Sequence, residues 1–505
     1  MITISVAGCK EKNTPDNGGN GGGNDTTSVS PSDTTITTTD TIRVTWSGAN
    51  ATVEGSHEGV SVQSANGYVT VNSTVKDITY LLRGNGKGQL TIYGTNRHQL
   101  LLNDLTLSCS DGPAINNQCK KSCYVVLNGT NSLTDGSTYA SSTEDRKAAF
   151  FSEGQMIFSG AGSLTVKGNY KHALASDDYI QFAQSTGALN LTATGDGIHA
   201  NDGIYFDGGT FSISAGEEGI QCDTSVIVVN NGAINVTAAG DKGILAYDTI
   251  LINGGTIRVS SEYKCIKTQG NLIVNGGDIQ VVCNGKASSG GGPGGWGGSS
   301  SSSSPEGIEA KGTITINGGY VYAQAADDAI NAGSHLTING GYVCAYSTGN
   351  DGIDANGNCY IKGGLVYAIG ASDPEVAIDA NTERNFKLYV QGGTIISLGK
   401  LERGSTLSQS CYQSSSWDAT TWYSITVGNE TFAFKTPTKS STGSGGGPGG
   451  RGGSQTTPLV VSGSSKPVVK KSVTTSNGTS IFNGMGLINA TVSGGSEVSL
   501  SNYSN

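Results

Sequence analysis

Ala, Leu, Glu and Lys form no long run at helical spacing anywhere in this chain of 505 residues. The ankyrin, tetratricopeptide and HEAT solenoids are therefore poor fits, and leucine-rich repeats fail because the recurring apolar residues are Ile, Val and Ala. Basic residues are few: 30 Lys and Arg against 40 Asp and Glu give a net charge of −10, and no basic run occurs. That balance argues against nucleic acid and anionic membrane surfaces as partners. No apolar stretch is long enough to span a bilayer. The ten cysteines form no zinc-ligand cluster, since Cys119 and Cys123 have neither a second pair nor a histidine partner. What the chain has in quantity is glycine, 77 residues of it.

Those glycines recur with a period. Gly195 to Ile198, Glu217 to Ile220, Asp241 to Ile244 and Asn350 to Ile353 each end in Gly-Ile, and a Gly-Gly or Asn-Gly turn follows about ten residues later. The anchors Ile198, Ile220, Ile244, Ile266, Ile308, Ile330, Ile353 and Ile378 are spaced by 22, 24, 22, 42, 22, 23 and 25 residues, the one outlier containing the low-complexity insert Gly285 to Ser304. Fainter anchors precede them at Ile115, Phe150 and Leu174. A repeat this short cannot enclose its own core and must stack on its neighbours. Between anchors the residues alternate, with Ile314, Ile316, Val321, Ala323 and Ala325 facing one way and Tyr320, Tyr322 and Gln324 the other, which is strand periodicity. The expected fold is all-β: a right-handed, single-stranded parallel β-helix with coils of 22 to 25 residues, followed by a C-terminal β cap region.

Domain boundaries follow from composition. Residues 1–9 end in Val6-Ala7-Gly8-Cys9, the pattern of a lipobox behind a shortened signal, with a chance match as the alternative. Residues 10–40 are Gly, Asn, Thr, Ser and Asp with little to bury, as in a disordered tether. The solenoid is expected over 41–400. Residues 401–505, with aromatics at Trp417, Trp422, Tyr423, Phe432 and Phe434 and a second glycine-rich insert at 444–454, are expected to cap the open sheet edge, a separate binding module being the alternative. Lipidation of Cys9 predicts an exported bacterial lipoprotein at the outer membrane or cell surface, touching membrane only through its lipid, and a monomer.

Stacking turns a repeated position into a ladder about 4.8 Å in pitch, and stacked carboxylates repel unless protons, lysines or a metal neutralise them. Two acidic sets follow. The first draws on Asp178, Asp196, Asp202, Glu218 and Asp223, with Lys242 beyond; the second on Asp327, Asp328, Asp351, Asp354 and Asp379. Converging hard oxygen ligands suit calcium best; the alternative is solvated corner residues of Gly-Asp turns. Outward-facing Tyr320, Tyr322, Tyr342 and Tyr367 form a strip whose ring faces and polar tips suit a glycan, or else pair across strands or meet the cap.

The period, the Asp-Gly-Ile corners, the Ile-x-Gly-Gly strand exits and the glycine-rich inserts resemble those of the bacterial polysaccharide-binding β-helix family, which includes surface lipoproteins. The resemblance covers about residues 60 to 400. It implies calcium as cofactor and binding of cellulosic or uronate-containing polysaccharide without catalysis. That family is itself similar to calcium-dependent pectate lyases, and Asn350-Asp351-Gly352-Ile353-Asp354 is the closest match to their metal motif; Asn350 replaces an Asp and removes one ligand charge. Two alternatives stay open. A lyase would need a neutral base, for which Lys242, Lys264, Arg384 and Lys387 are available though none is placed by a motif. A structural or adhesive surface protein would need only the repeat.

Overall fold

In the computed structural model, which describes residues 31–38, 40–238, 240–286, 304–371, 375–438 and 457–504, the anchors stack in register. Cys9, most of the tether, the bulk of both glycine-rich inserts and Trp296 lie outside these residues. The chain divides into two units, Met1–Val236 with Leu245–Gly255, and Thr237–Ile244 with Thr256–Asn505. Each is a β-solenoid of parallel strands, about a dozen coils in all, and no α-helix occurs among the described residues.

In the first unit Leu90 pairs with Ile115, and Ile115 with Phe150 across the long loop between them; Leu174, Ile198 and Ile220 continue the row. A coil has three strands, as in His172–Ser176, Tyr179–Phe182 and Ala188–Ala193, and each pairs with its counterpart one coil on. Phe158, Phe182 and Phe206 stack inside with ring centroids 5.1 Å apart at both steps, and inward Ile, Val and Leu are 0 to 2% exposed at Leu164, Val166, Ile180, Ile204 and Ile213. Each such side chain contributes about 1.5–3 kcal/mol of burial. The parallel stack begins beneath two antiparallel hairpins, Thr41–Gly48 with Asn50–Glu54 and Val60–Ala65 with Tyr68–Ser73.

In the second unit Ile266, Ile308, Ile330, Ile353 and Ile378 form the corresponding row. At the Asn-Gly-Gly exits Asn317 donates its side-chain amide to Asn275, and Asn339 to Asn317, both at 2.8 Å. Such amide ladders satisfy polar groups that repeat in register. The last long strand, Thr394–Leu398, pairs antiparallel with Leu459–Ser462, which closes the sheet edge. Cys411–Ser414 and Ser501–Asn502 extend that edge, and six further C-terminal strands form an antiparallel sheet laid on the outer face of the coils. Tyr423, Ile425, Phe432, Phe434, Val469 and Phe482 pack there against Tyr322, Cys344, Tyr367, Ile369, Ile396 and Leu398.

The corner glycines carry part of this geometry. Gly341 has φ +86, and a Cβ on it would lie 2.8 Å from Gly319 O and Gly318 C of the preceding coil; Gly404 has φ +76 but open space around it. Gly341→Ala is expected to destabilise the protein by about 1–3 kcal/mol through backbone strain and the added clash, and Gly404→Ala by less. Circular-dichroism melts of the two variants check this; equal shifts would show that the neighbouring coil yields at no cost.

Candidate functional site

Side chains flanking an anchor are held by the strand pairing, so their rows can be followed coil by coil. In the first unit the residue two before the anchor is His172, Asp196 and then Glu218, and the residue after Ile198 is His199. These bring a buried histidine pair onto a buried carboxylate. Asp196 Oδ2 lies 3.2 Å from His172 Nδ1 and 2.8 Å from His199 Nδ1, while Asp196 Oδ1 accepts from the Glu218 backbone N–H at 3.1 Å. The imidazoles stack at 4.5 Å, and His199 Nε2 reaches Asp223 Oδ2 at 3.2 Å. His172 Nδ1 accepts from the Asp196 backbone N–H at 3.0 Å, which puts its proton on Nε2, and buried Nε2 has no hydrogen-bond partner. Burial, then the nearby positive groups of His199, Lys171 and Lys147, push the His172 imidazole down to about 2, so it is neutral at ordinary pH.

The first acidic set therefore does not form one oxygen-lined site. Asp196 and Glu218 adjoin and Asp223 joins through His199, but Asp178 and Asp202 stand on a different row, opposite each other beside the Tyr179–Gly203 pair. Asp178 accepts from Gln155 and from the Tyr179 N–H, and burial raises its pKa. Lys242, expected to close this ladder, pairs with its neighbour Asp241. His172 and His199 were missed from sequence, although two of only five histidines at anchor-flanking positions was a readable signal.

The second unit carries a graded charge ladder. At one end Lys264 Nζ, 3% exposed as a residue, sits 2.6 Å from Glu306 and 3.1 Å from Glu309, and Lys267 and Lys311 also pair with Glu309. Burial opposes the charge on Lys264, but Glu306 and Glu309 outweigh it and raise its pKa. Burial likewise pushes Glu309 up, and the lysines outweigh it and hold it below the usual range. Asn331 comes next, donating to Glu306 Oε1 and Asp328 Oδ2. Two rows run on from here: Asp328 and Asp351 follow Glu306 two places before their anchors, and Asp354, Asp379 and Glu402 follow Asn331 one place after theirs. Asp328 accepts from the Asp351 N–H at 3.1 Å, Asp351 from the Val376 N–H at 2.6 Å, and Asp327 from Asn350 and Ser304. Burial and then the neighbouring carboxylates push Asp328 up to about 9 and Asp351 up to about 7; burial also raises Asp354 and Asp379. Among the described residues no three carboxylates of this set lie within 4.8 Å of one another, unlike the His172–Asp196–His199 trio.

The tyrosine strip divides between its two readings. Tyr322 is 2% and Tyr367 0% exposed, both covered by the C-terminal sheet, with Tyr367 OH donating to Lys435 O at 3.0 Å. Their burial follows from the apolar ladder Tyr322, Cys344, Tyr367 and Ile396, which needed a partner. Tyr320 and Tyr342 remain half-buried and stacked at 5.1 Å. Tyr342 borders a groove of about 910 Å³ whose other wall is Ile425, Val427, Asn429, Glu430 and Phe432. A second stacked pair, Tyr360 with Tyr389 at 4.9 Å, lies on another strand row and was not singled out from sequence.

A family model described as carbohydrate-binding domain-containing protein matches residues 65–260 and 226–352, more than half of the chain. The chain belongs to this carbohydrate-binding domain-containing family. Comparison with curated proteins gives no match. Among solved structures, a polysaccharide lyase-like protein from C. thermocellum, determined as a gadolinium derivative, is similar at 18% identity and a TM-score of 0.38, covering 55% of this chain and 96% of that one. The family match takes in the histidine trio and the lysine end of the ladder. Asp354, Asp379 and the groove wall supplied by the C-terminal sheet fall beyond it.

The two sites of this family member respond oppositely to pH. His172 has a folded pKa far below its unfolded value near 6.5, so its contribution is present above that value and is lost as pH falls toward 2. Asp328 and Asp351 are raised above 3.8, so in the absence of cation their contribution is present at acid pH and is lost as pH rises toward 9. In chelator, Asp328→Asn is expected to stabilise the protein at pH 8 by on the order of 1–2 kcal/mol and to leave pH 4 stability unchanged. Melts at both values check this; an unchanged pH 8 melt would show that Asp328 ionises without penalty.

Proposed function

We propose that the protein is a non-catalytic polysaccharide-binding β-helix of the cell surface, anchored through Cys9, whose second unit is held by calcium at Asp328, Asp351, Asp354 and Asp379 and whose glycan site is the groove beside Tyr342. The groove carries this reading. It offers one half-buried aromatic ring beside polar Asn429, Glu430, Thr394, Ser464 and Asn489, which is the mixture that packs against the apolar face of a sugar and bonds its hydroxyls. No Lys, Arg or His lines it among the described residues, and Glu430 brings a negative charge. That chemistry favours a neutral, cellulosic glycan over a uronate.

Calcium is supported by the donor chemistry of the ladder. Its carboxylates are oxygen-only, buried or half-buried, and raised in pKa first by that burial and then by one another, beyond the reach of the lysines at the other end. Two of the four bases open to the lyase alternative are engaged, since Lys264 is ion-paired and held charged and Lys242 is paired with Asp241.

In affinity gels a neutral β-glucan is expected to retard the protein with no accumulation of reducing or unsaturated ends. Tyr342→Ala should weaken retention roughly five- to tenfold, equivalent to about 1–1.4 kcal/mol, and Tyr360→Ala should leave it unchanged. Loss with Tyr360→Ala instead would move the site to the Tyr360–Tyr389 pair, and retention by polygalacturonate alone would reject the groove. Calcium is expected to raise the melting temperature of the parent, and Asp351→Ala with Asp354→Ala to remove that rise.

A further inference from the structure

We infer that His172, Asp196 and His199 form a binding site for a borderline first-row divalent cation of the zinc type, independent of the calcium and glycan readings. The geometry is close to what such an ion needs. Zinc binds nitrogen and oxygen at about 2.0–2.1 Å, so neighbouring ligands of a tetrahedral ion sit roughly 3.3 Å apart. Asp196 Oδ2 lies 3.2 Å from His172 Nδ1 and 2.8 Å from His199 Nδ1, and all three atoms are within 4.8 Å of one another. Two imidazoles and one carboxylate select zinc, cobalt or nickel over calcium, which takes oxygen donors. A carboxylate of Glu217 or Glu218, both within 4.8 Å of an Asp196 oxygen, or a water supplies the fourth position.

An independent feature points the same way. A metal-bound histidine usually gives its other ring N–H to a carboxylate, which fixes the ring and raises its basicity. His199 has this arrangement already, with Nδ1 toward the site and Nε2 on Asp223 at 3.2 Å. His172 is 1% exposed, and its Nδ1, which accepts the Asp196 backbone N–H, carries the lone pair an ion would take. Seating the ion displaces the Asp196 N–H from His172 Nδ1 and takes the place of the contact between His199 Nδ1 and Asp196, and because protons compete with a metal for imidazole nitrogen, affinity falls on the acid side.

The test uses the full chain without an affinity tag, stripped with chelator and then given zinc alone or cobalt alone. One zinc per chain should survive desalting, cobalt should give the visible absorption of a tetrahedral ion, and excess calcium should displace neither. His172→Ala and His199→Ala should abolish retention, and Asp223→Asn should weaken zinc binding by about 10- to 100-fold while the circular-dichroism spectrum stays that of the parent. No retained zinc, an octahedral cobalt spectrum, or retention unchanged in the histidine variants would overturn the site and leave only a hydrogen-bonded histidine–carboxylate network. If the histidine variants fail to fold, Asp223→Asn binding zinc as tightly as the parent overturns it instead.

Discussion

Each coil of this protein completes the backbone hydrogen bonding of the coil beside it, and everything else in the structure follows from that constraint. Parallel strands in register place the same repeat position directly over itself. An apolar residue there gains a continuous core, as in the Phe158, Phe182 and Phe206 stack. An amide gains a donor on one side and an acceptor on the other, as in Asn275, Asn317 and Asn339. A glycine at a corner admits the positive φ and the close backbone approach that the turn requires.

The same rule makes charge expensive. A carboxylate repeated in register meets its own kind one coil away, and only an alternating or neutralised row avoids repulsion. The second unit shows both solutions along one ladder. Lys264, Lys267 and Lys311 neutralise Glu306 and Glu309, uncharged Asn331 separates Glu309 from Asp354 in one row, and in the row beside it burial and the neighbouring carboxylates raise Asp328 and Asp351. The first unit solves the problem differently, by setting imidazoles against Asp196. A stacked polar row thus either finishes as a network or keeps its charge unrelieved, and the histidines set nitrogen against oxygen in the first unit where the aspartates of the second set oxygen against oxygen.

The outer face of the later coils shows how a repeat acquires an addition. Tyr322, Cys344, Tyr367 and Ile396 form an outward apolar row that water would penalise, and the C-terminal sheet covers it with Tyr423, Phe432 and Phe434. Because that sheet does not reach the whole row of Tyr320 and Tyr342, a groove stays open at its margin, walled by both elements of the second unit.

The amino-acid sequence by itself determined the coil. The anchor spacing, the strand alternation and the Gly-Gly exits depend only on residues a few positions apart, and they locate the paired rows correctly from Ile115 to Ile378. It also placed Glu306, Asp328 and Asp351 on one ladder, because a ladder is read by counting. Two things were decided only in three dimensions. Whether an outward tyrosine is free depends on where a segment more than fifty residues away comes to rest, and Tyr367 is covered by Phe434 while Tyr342 keeps an open side. Whether an acidic position has a partner depends on the rotamers of adjacent coils: Asp196 gained two histidines whose spacing from it, 24 and 3 residues, matches no linear metal motif. Periodicity fixes which positions stack, whereas burial and side-chain direction fix what they touch.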